Sequence, residues 1–424
     1  MLLVVNLVSF MSFQILVPLL PVYGLRFSTS ESLIGFLAAA IALAALIIRP
    51  FTGFIADRYD CNKIIVISQL GTAVIVAFYI IAPHIGTLIV MRFAQGILFG
   101  FSTTVVMTAG IRTMPEEKIN QGVGILGATG FASQAVAPMI GLWIVGKWDY
   151  PVLFAFTSAL ALIASIIALV MKIGKPAPRK EEKEEDGKSA PCTERENMVA
   201  PGKVEEEMSI VWKEEKEEAG EYTSGKEYKK EKKAVRISPR EFFAVEAIGF
   251  AAVLLLFGAT TSLPASFIVI YAQTRGIPHS GLYFTIFAIV LVASRVFGAG
   301  LLERFSLAKL LTACAICCAA GLAIIGASST FPPLIAAAIV MGLGYGVSCP
   351  AILTTMIRIV QPERRGTASA TYYMALDLAY VVGPVVMGFI AEASDYNMGF
   401  FFFVAPMLAA IPLTLFVTRR QAAL

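Results

Sequence analysis

Histidine is nearly absent from this chain, which has two, His84 and His279, in 424 residues. A histidine-based metal centre or a Ser-His-Asp relay therefore has almost nothing to be built from, and no phosphate-binding loop accompanies them. No enzyme chemistry, no metal and no cofactor is expected. Charge is scarce as well, at 15% Asp, Glu, Lys and Arg against 57% hydrophobic residues. The net charge of +4 does not point to nucleic acid, because nearly half the Lys and Arg fall between Lys175 and Arg240. Cysteines number six, and Cys314-x-x-Cys317-Cys318 has the spacing of a metal or redox set. Thiols inside an apolar run usually behave as small hydrophobes, and that reading is preferred. The first stretch, "MLLVVNLVSFMSFQILVPLLPVY", lacks a positive lead and a small-residue cleavage site, so it reads as a spanning helix rather than a signal peptide.

What the chain has in abundance is long apolar runs. About twenty such residues cross a bilayer core of roughly 30 Å, which predicts spans near 2–24, 31–56, 64–82, 86–110, 120–146 and 150–172, then 242–271, 280–302, 307–328, 331–357, 366–391 and 397–418. The expected fold is an all-α integral membrane protein with twelve transmembrane helices. Its parts are a six-helix half at 1–173, a charged linker at 174–240 and a second six-helix half at 241–424. The linker is too poor in apolar residues to bury a core and reads as mostly disordered, with a short surface helix at 205–218.

Basic residues of the short loops gather on one side of this layout. Arg58, Lys63, Arg112, Lys118, Arg304, Lys309, Arg358, Arg364, Arg365, Arg419 and Arg420 face only Arg26, Lys147 and Arg275 on the other. The positive-inside rule then places both termini and the linker in the cytoplasm of a multi-pass cell-membrane protein.

The halves also repeat. A shift of 246 residues without gaps superposes Gly35 on Gly281, Arg49 on Arg295, Asp57 on Glu303, Arg58 on Arg304, Gly96 on Gly342, Gly100 on Gly346 and Pro138 on Pro384. With Arg112 on Arg358 as well, three of the five first-half arginines land on arginines. An even number of spans per half makes the repeats parallel, around a central cavity, a layout secondary transporters use with substrate held at the midplane.

One acid stands near the middle of a span, Asp377 in the eleventh. An ionised carboxylate there costs roughly 2.5–3.5 kcal/mol on insertion scales. It can respond by facing a wet cavity, by pairing with an arginine, or by taking up a proton; a neutral acid that only fixes packing is the alternative. Glu246, a few residues into the seventh span, is the second proton-coupling candidate. Arg49 and Arg295 lie in apolar stretches, where snorkelling to water and facing a cavity are both open. Polar and aromatic candidates for a substrate cavity are Gln14, Gln134, Tyr345, Tyr372 and Tyr373. Pro138 and Gly383-Pro384 should bend the fifth and eleventh helices where the halves meet, and the glycines at 96, 100, 342 and 346 suit close helix packing.

The segments "RPFTGFIADRYDCNK" and "RFAQGILFGF", with "RVFGAGLLERFSLAK" in the repeat, resemble the loop 2–3 signature and the fourth-helix pattern R-x-x-Q-G of the major facilitator superfamily. The chain departs from the signature at Asp60-Cys61, so Gly53, Asp57 and Arg58 carry the match. The antiporter pattern of the fifth helix is reduced to Ala137-Pro138 and Gly141-Leu142. The resemblance implies that Asp57 faces the amino end of the eleventh helix as a latch, with Arg58, Glu303 and Arg304 completing it, and that Arg92, with Gln95, borders the cavity.

The stretch "ERRGTASATYYMALDLAYVVGP" is similar to bacterial drug and metabolite efflux members. The function this implies is alternating-access, proton-coupled efflux of amphipathic or lipophilic small molecules by a monomer. Its partners would be a small-molecule substrate, protons and membrane lipids. The runner-up is a proton symporter importing a sugar, organic acid or other metabolite, and a non-transporting receptor is the remote alternative.

Overall fold

In a computed structural model the described residues are 1–82, 84–113, 119–171, 244–298, 304–361 and 364–422. The charged linker, with the short helix expected in it, lies outside them. Among these residues the chain is helical: α1 Leu2–Gly24, α2 Glu31–Arg58, α3 Cys61–Phe78, α4 Ile85–Arg112, α5 Ile119–Trp148 and α6 Tyr150–Val170. The second half follows with α7 Ile248–Thr274, α8 Gly281–Gly298, α9 Leu307–Ala327, α10 Phe331–Arg358, α11 Arg365–Ala393, α12 Tyr396–Phe402 and α13 Val404–Ala422. Eleven stretches are long and apolar enough to cross a membrane, and Gly281–Arg295 supplies a shorter apolar helix in the remaining place.

Two helix starts follow directly from side chains. Asp60 accepts the Asn62 amide at 2.9 Å and Asp395 accepts the Met398 amide at 2.8 Å, each satisfying a donor that a helix start leaves open. The last predicted span, 397–418, proves to be two helices meeting at Phe403. Pro406 has no N–H to offer the Phe402 carbonyl, so the ladder is interrupted there.

Large apolar side chains point outward along the bundle, among them Phe297 at 80%, Leu169 at 70% and Ile67 at 65% exposure. A soluble protein cannot present such a surface, whereas lipid tails can cover it. Trp143 and Trp148 stand exposed near the Arg26 end of the bundle, with the Lys147 ammonium 4.5 Å from the Trp148 ring centroid. That grouping suits a membrane interface.

The sequence repeat reappears as a repeat of packing. In the first half α2 lies on α4, α1 on α5 and α3 on α6; in the second α8 lies on α10, α7 on α11 and α9 on α13. Between the halves α2 packs on α11, α5 on α8 and α1 on α7. These are the partners that a two-fold relation between halves demands. Without a hydrophobic driving force in lipid, such pairs are held by close packing at small residues. A Cβ on Gly96 would sit 2.4 Å from the Ile41 carbonyl oxygen, and one on Gly342 would sit 3.1 Å from that of Phe287. Ile41 and Phe287 are themselves related by the 246-residue shift.

Candidate functional site

The site is built on the contact between α2 and α11. Along a helix, positions four apart share a face, so Tyr373 and Asp377 lie one turn apart on α11. Arg49 of α2 spans both. Its Nε and Nη2 donate to the two Asp377 carboxylate oxygens, the second at 3.1 Å, and its guanidinium carbon lies 5.6 Å from the Tyr373 ring centroid. A two-point guanidinium–carboxylate contact is both stronger and more directional than a single charged bond. Only 17% of the Arg49 side chain and 13% of the Asp377 side chain is exposed, so water screens the pair poorly.

Position along the helices matters as much as geometry. Arg49 lies 18 residues after Glu31 and 9 before Arg58 in α2, about 27 Å and 13 Å along the axis at 1.5 Å per residue. Arg49 lies three residues before the end of the apolar stretch Glu31–Thr52 and Asp377 near the middle of Arg365–Ala393, and the ion pair joins the two halves of the molecule.

The related position on the other side of the bundle is filled differently. Arg295 of α8 places its guanidinium carbon 3.8 Å from the ring centroid of Phe131 on α5. Phe131 is the 246-residue counterpart of Asp377, as Arg295 is of Arg49. One interface thus closes with an ion pair and the other with a cation on an aromatic face.

The expected cavity residues separate into two groups. Tyr345 and Tyr372 are buried around Cys349 in the second half, while Tyr373 is 38% exposed and borders the ion pair. Arg92 and Gln95 are 2% and 1% exposed inside the first half. The Gln95 Oε1 accepts from Arg92 Nη1 at 2.9 Å and from the Tyr79 hydroxyl at 2.8 Å. Gln95 also lines a cavity of about 20 Å³ with Asn6, Gln69 and Ser102, space for about one water. Gln14 and Gln134 are half-buried on α1 and α5.

Glu246 stands at the start of the second half, paired with Arg364 at 2.5 Å and 49% exposed. Pro138, Gly383 and Pro384 lie within α5 and α11 as continuous helix. Arg304 is exposed. The backbone of Gly53, Asp57 and Arg58 is the last part of α2, but their side chains, and all of Glu303, lie outside the described residues.

The sequence reading left out the seal at the Arg26 end. Glu392, near the end of α11, accepts from the Ser32 amide at 3.0 Å and from the Ser30 hydroxyl at 3.2 Å, capping the start of α2 from the other half. Tyr396 donates its hydroxyl to Glu31, and the Phe36 and Phe389 rings meet edge-on at 5.8 Å. Within the first half Arg26 holds Asp149 through two bonds of 3.0 and 2.6 Å, keeping that carboxyl below the usual carboxylate range.

Glu392→Gln should loosen the seal, since a neutral amide is a weaker acceptor at a helix start. With the six native cysteines replaced, spin labels on Thr29→Cys and Ala393→Cys should gain a population at longer distance when Glu392→Gln is added. An unchanged distance distribution counts against the seal.

A signal for the two arginine sites was present in the sequence. The shift that matches Arg49 to Arg295 also matches Phe131 to Asp377, so a contact between one member of each pair implies a contact between the others. The Glu392 cap has no such signal, because a carboxylate near a span end looks like any loop charge.

The comparisons agree with this fold. The family model described as Major Facilitator Superfamily matches residues 2–305 and 248–423, and the chain belongs to that superfamily. Among curated proteins it is 28% identical over 165 residues to Multidrug resistance protein 2 of Bacillus subtilis (strain 168), covering 38% of this chain and 40% of that one. It is 28% identical over 156 residues to Macrolide efflux protein A of Enterococcus faecalis, covering 35% and 46%. The chain thus spans less than half the length of these two relatives.

Solved structures share the fold. The nucleoside transporter NupG superposes with a TM-score of 0.71 at 12% identity, covering 98% of each chain. A bacterial homolog of the human lysosomal transporter Spinster, inward-facing and occupied, gives 0.71 at 14% identity, with 99% and 95% covered.

Proposed function

We propose that the chain is a secondary transporter that works by alternating access and exports amphipathic or lipophilic small molecules in exchange for protons. The observation that carries this reading is the Arg49–Asp377 pair, a carboxylate inside the apolar span whose partner belongs to the other half. Protonating Asp377 removes the charge that Arg49 binds, and with it a tie between halves that must rock against each other. A proton at this carboxylate therefore has different energies in the two arrangements, which is what coupling requires.

The names of the multidrug and macrolide efflux relatives support the direction and the kind of substrate. By the positive-inside rule the Arg26 end is the outer side, so the Glu392 seal closes the molecule outward. Asp57 and Arg58, with Glu303 and Arg304, latch the cytoplasmic side, and Glu246 is the reserve proton carrier. The protein acts as a monomer in the cell membrane.

The test is flux in sealed proteoliposomes with an imposed pH gradient and probes of both charges, ethidium and erythromycin as cations and 4-tert-butylbenzoate as an anion. The wild-type chain should move a probe against its gradient. Asp377→Asn should lower gradient-driven flux at least about tenfold while downhill exchange continues, because a neutral amide cannot carry the proton. Equal gradient-driven flux in the variant removes Asp377 from the coupling role.

One observation favours a second reading, proton-coupled uptake of an organic acid. Arg49 and Arg295 both lie near Tyr373, and of these two only Arg49 has a carboxylate partner among the described residues. Freeing Arg49 by protonation would give an organic anion two cations, so proton and anion would bind together. Uptake rather than efflux of a carboxylate probe distinguishes this reading.

A further inference from the structure

Arg295 is a cation held against a π face rather than against an acid. No carboxylate among the described residues lies within ion-pair distance of it, and its Nε is buried without a hydrogen-bond partner. Phe131 covers one face of the guanidinium. Stacking uses that face and leaves the edge, where the five N–H donors point, unused by the ring.

The surroundings add donors rather than acids. Cys349, Tyr372 and Tyr373 all feel the Arg295 charge, and Tyr373 also feels Arg49. Arg49 is already neutralised by Asp377. The group of two guanidiniums and one carboxylate therefore carries a net positive charge, with Arg295 partly buried at the end of the apolar stretch Gly281–Arg295. Uncompensated charge in such a place is costly, and a bound anion is the direct way to offset it.

We propose that Arg295 is the docking point for an anionic head group of the substrate, a carboxylate on an apolar body. The carboxylate takes the guanidinium edge and the apolar body lies along Phe131. This rests on the transport reading, in either direction, and gives it a substrate class. Asp377 has no part in the docking, so the two assignments are separable. A lipid phosphate offers a similar charge to the same guanidinium, and the experiment must tell the two apart.

The measurement is thermal unfolding of the purified full chain in a neutral detergent. Three probes share one body and differ in head group: 4-tert-butylbenzoate, 4-tert-butylbenzyl alcohol and 4-tert-butylbenzylammonium. A fourth is dioctanoyl phosphatidylglycerol. The carboxylate should stabilise saturably and bind about tenfold or more tighter than the alcohol, the range of one charged hydrogen-bonded contact. The ammonium should be weakest. Arg295→Gln should erase the preference of carboxylate over alcohol, and Arg295→Lys should restore part of it.

The proposal is overturned if the wild-type chain binds the ammonium as well as the carboxylate, or if Arg295→Gln keeps the carboxylate preference. It is overturned equally if only the phosphatidylglycerol stabilises. The wild-type comparison needs no variant, so a poorly folding Arg295→Gln leaves the proposal open to refutation. No pH gradient is involved either. Absence of a carboxylate preference in the wild-type chain therefore defeats this inference alone, while unchanged gradient-driven flux in Asp377→Asn defeats the coupling reading alone.

Discussion

Gly96→Leu should strongly destabilise the membrane bundle, while Gly127→Leu should leave it intact. At Gly96 the first added carbon already meets the Ile41 carbonyl oxygen at 2.4 Å, the Ala44 Cβ at 2.7 Å and the Ile41 Cα at 2.8 Å. None of these is the far end of a flexible side chain, so α2 and α4 must separate along their contact. Overpacking in a core typically costs about 1–3 kcal/mol and occasionally more; with backbone as the obstacle the upper end, about 3 kcal/mol or above, is expected. Lipid gives no compensating drive to hold the helices together.

Gly127 has nothing within 4 Å of an added Cβ, which makes it the matched control on a neighbouring span. Size-exclusion chromatography of the detergent-extracted variants checks the result. A sharp monodisperse peak for Gly96→Leu would mean that this contact is not needed to hold α2 on α4.

That contact also marks how much of the molecule was legible beforehand. Helices in lipid must satisfy every backbone group within the segment, so apolar length alone located the spans, including the early and late ones. The 246-residue shift located contacts as well. Gly96 meets Ile41 where Gly342 meets Phe287, and Gly100 meets Ala45 where Gly346 meets Leu291. A shift in sequence becomes a two-fold relation in space because each half buries the same faces.

What stayed hidden was interaction between elements of unlike position. That Asp377 answers to Arg49, rather than to Arg295 or to water, depends on the crossing of α2 and α11, and no local pattern encodes a crossing. The Glu392 cap on α2 is hidden for the same reason, since 360 residues separate donor and acceptor. The break at Phe403 is different: Pro406 was visible, but a proline only permits a break and does not require one in a span.

The Arg49–Asp377 contact yields the sharpest separation of stability from coupling. Arg49→Gln leaves a poorly solvated carboxylate without its cation, and removing one partner of a buried pair costs about 3–5 kcal/mol. The lower end is expected here, because both side chains keep some exposure. Asp377→Asn should cost less, since the amide oxygen still accepts from Arg49 and the Tyr373 ring still faces the guanidinium. The double variant Arg49→Gln with Asp377→Asn removes both charges and should recover to within about 1 kcal/mol of wild type, giving an interaction energy of at least about 2 kcal/mol in the cycle.

Flux should not follow stability. The double variant folds but has no titrating group at this place, so an imposed pH gradient should fail to drive in it any probe that the wild-type chain moves, as in Asp377→Asn alone. Thermal unfolding and gradient-driven flux on the four chains check both halves of the expectation. Additive stabilities would deny that the two side chains act as a pair. Gradient-driven flux in the double variant would move the proton to another carboxylate, with Glu246 the next to substitute.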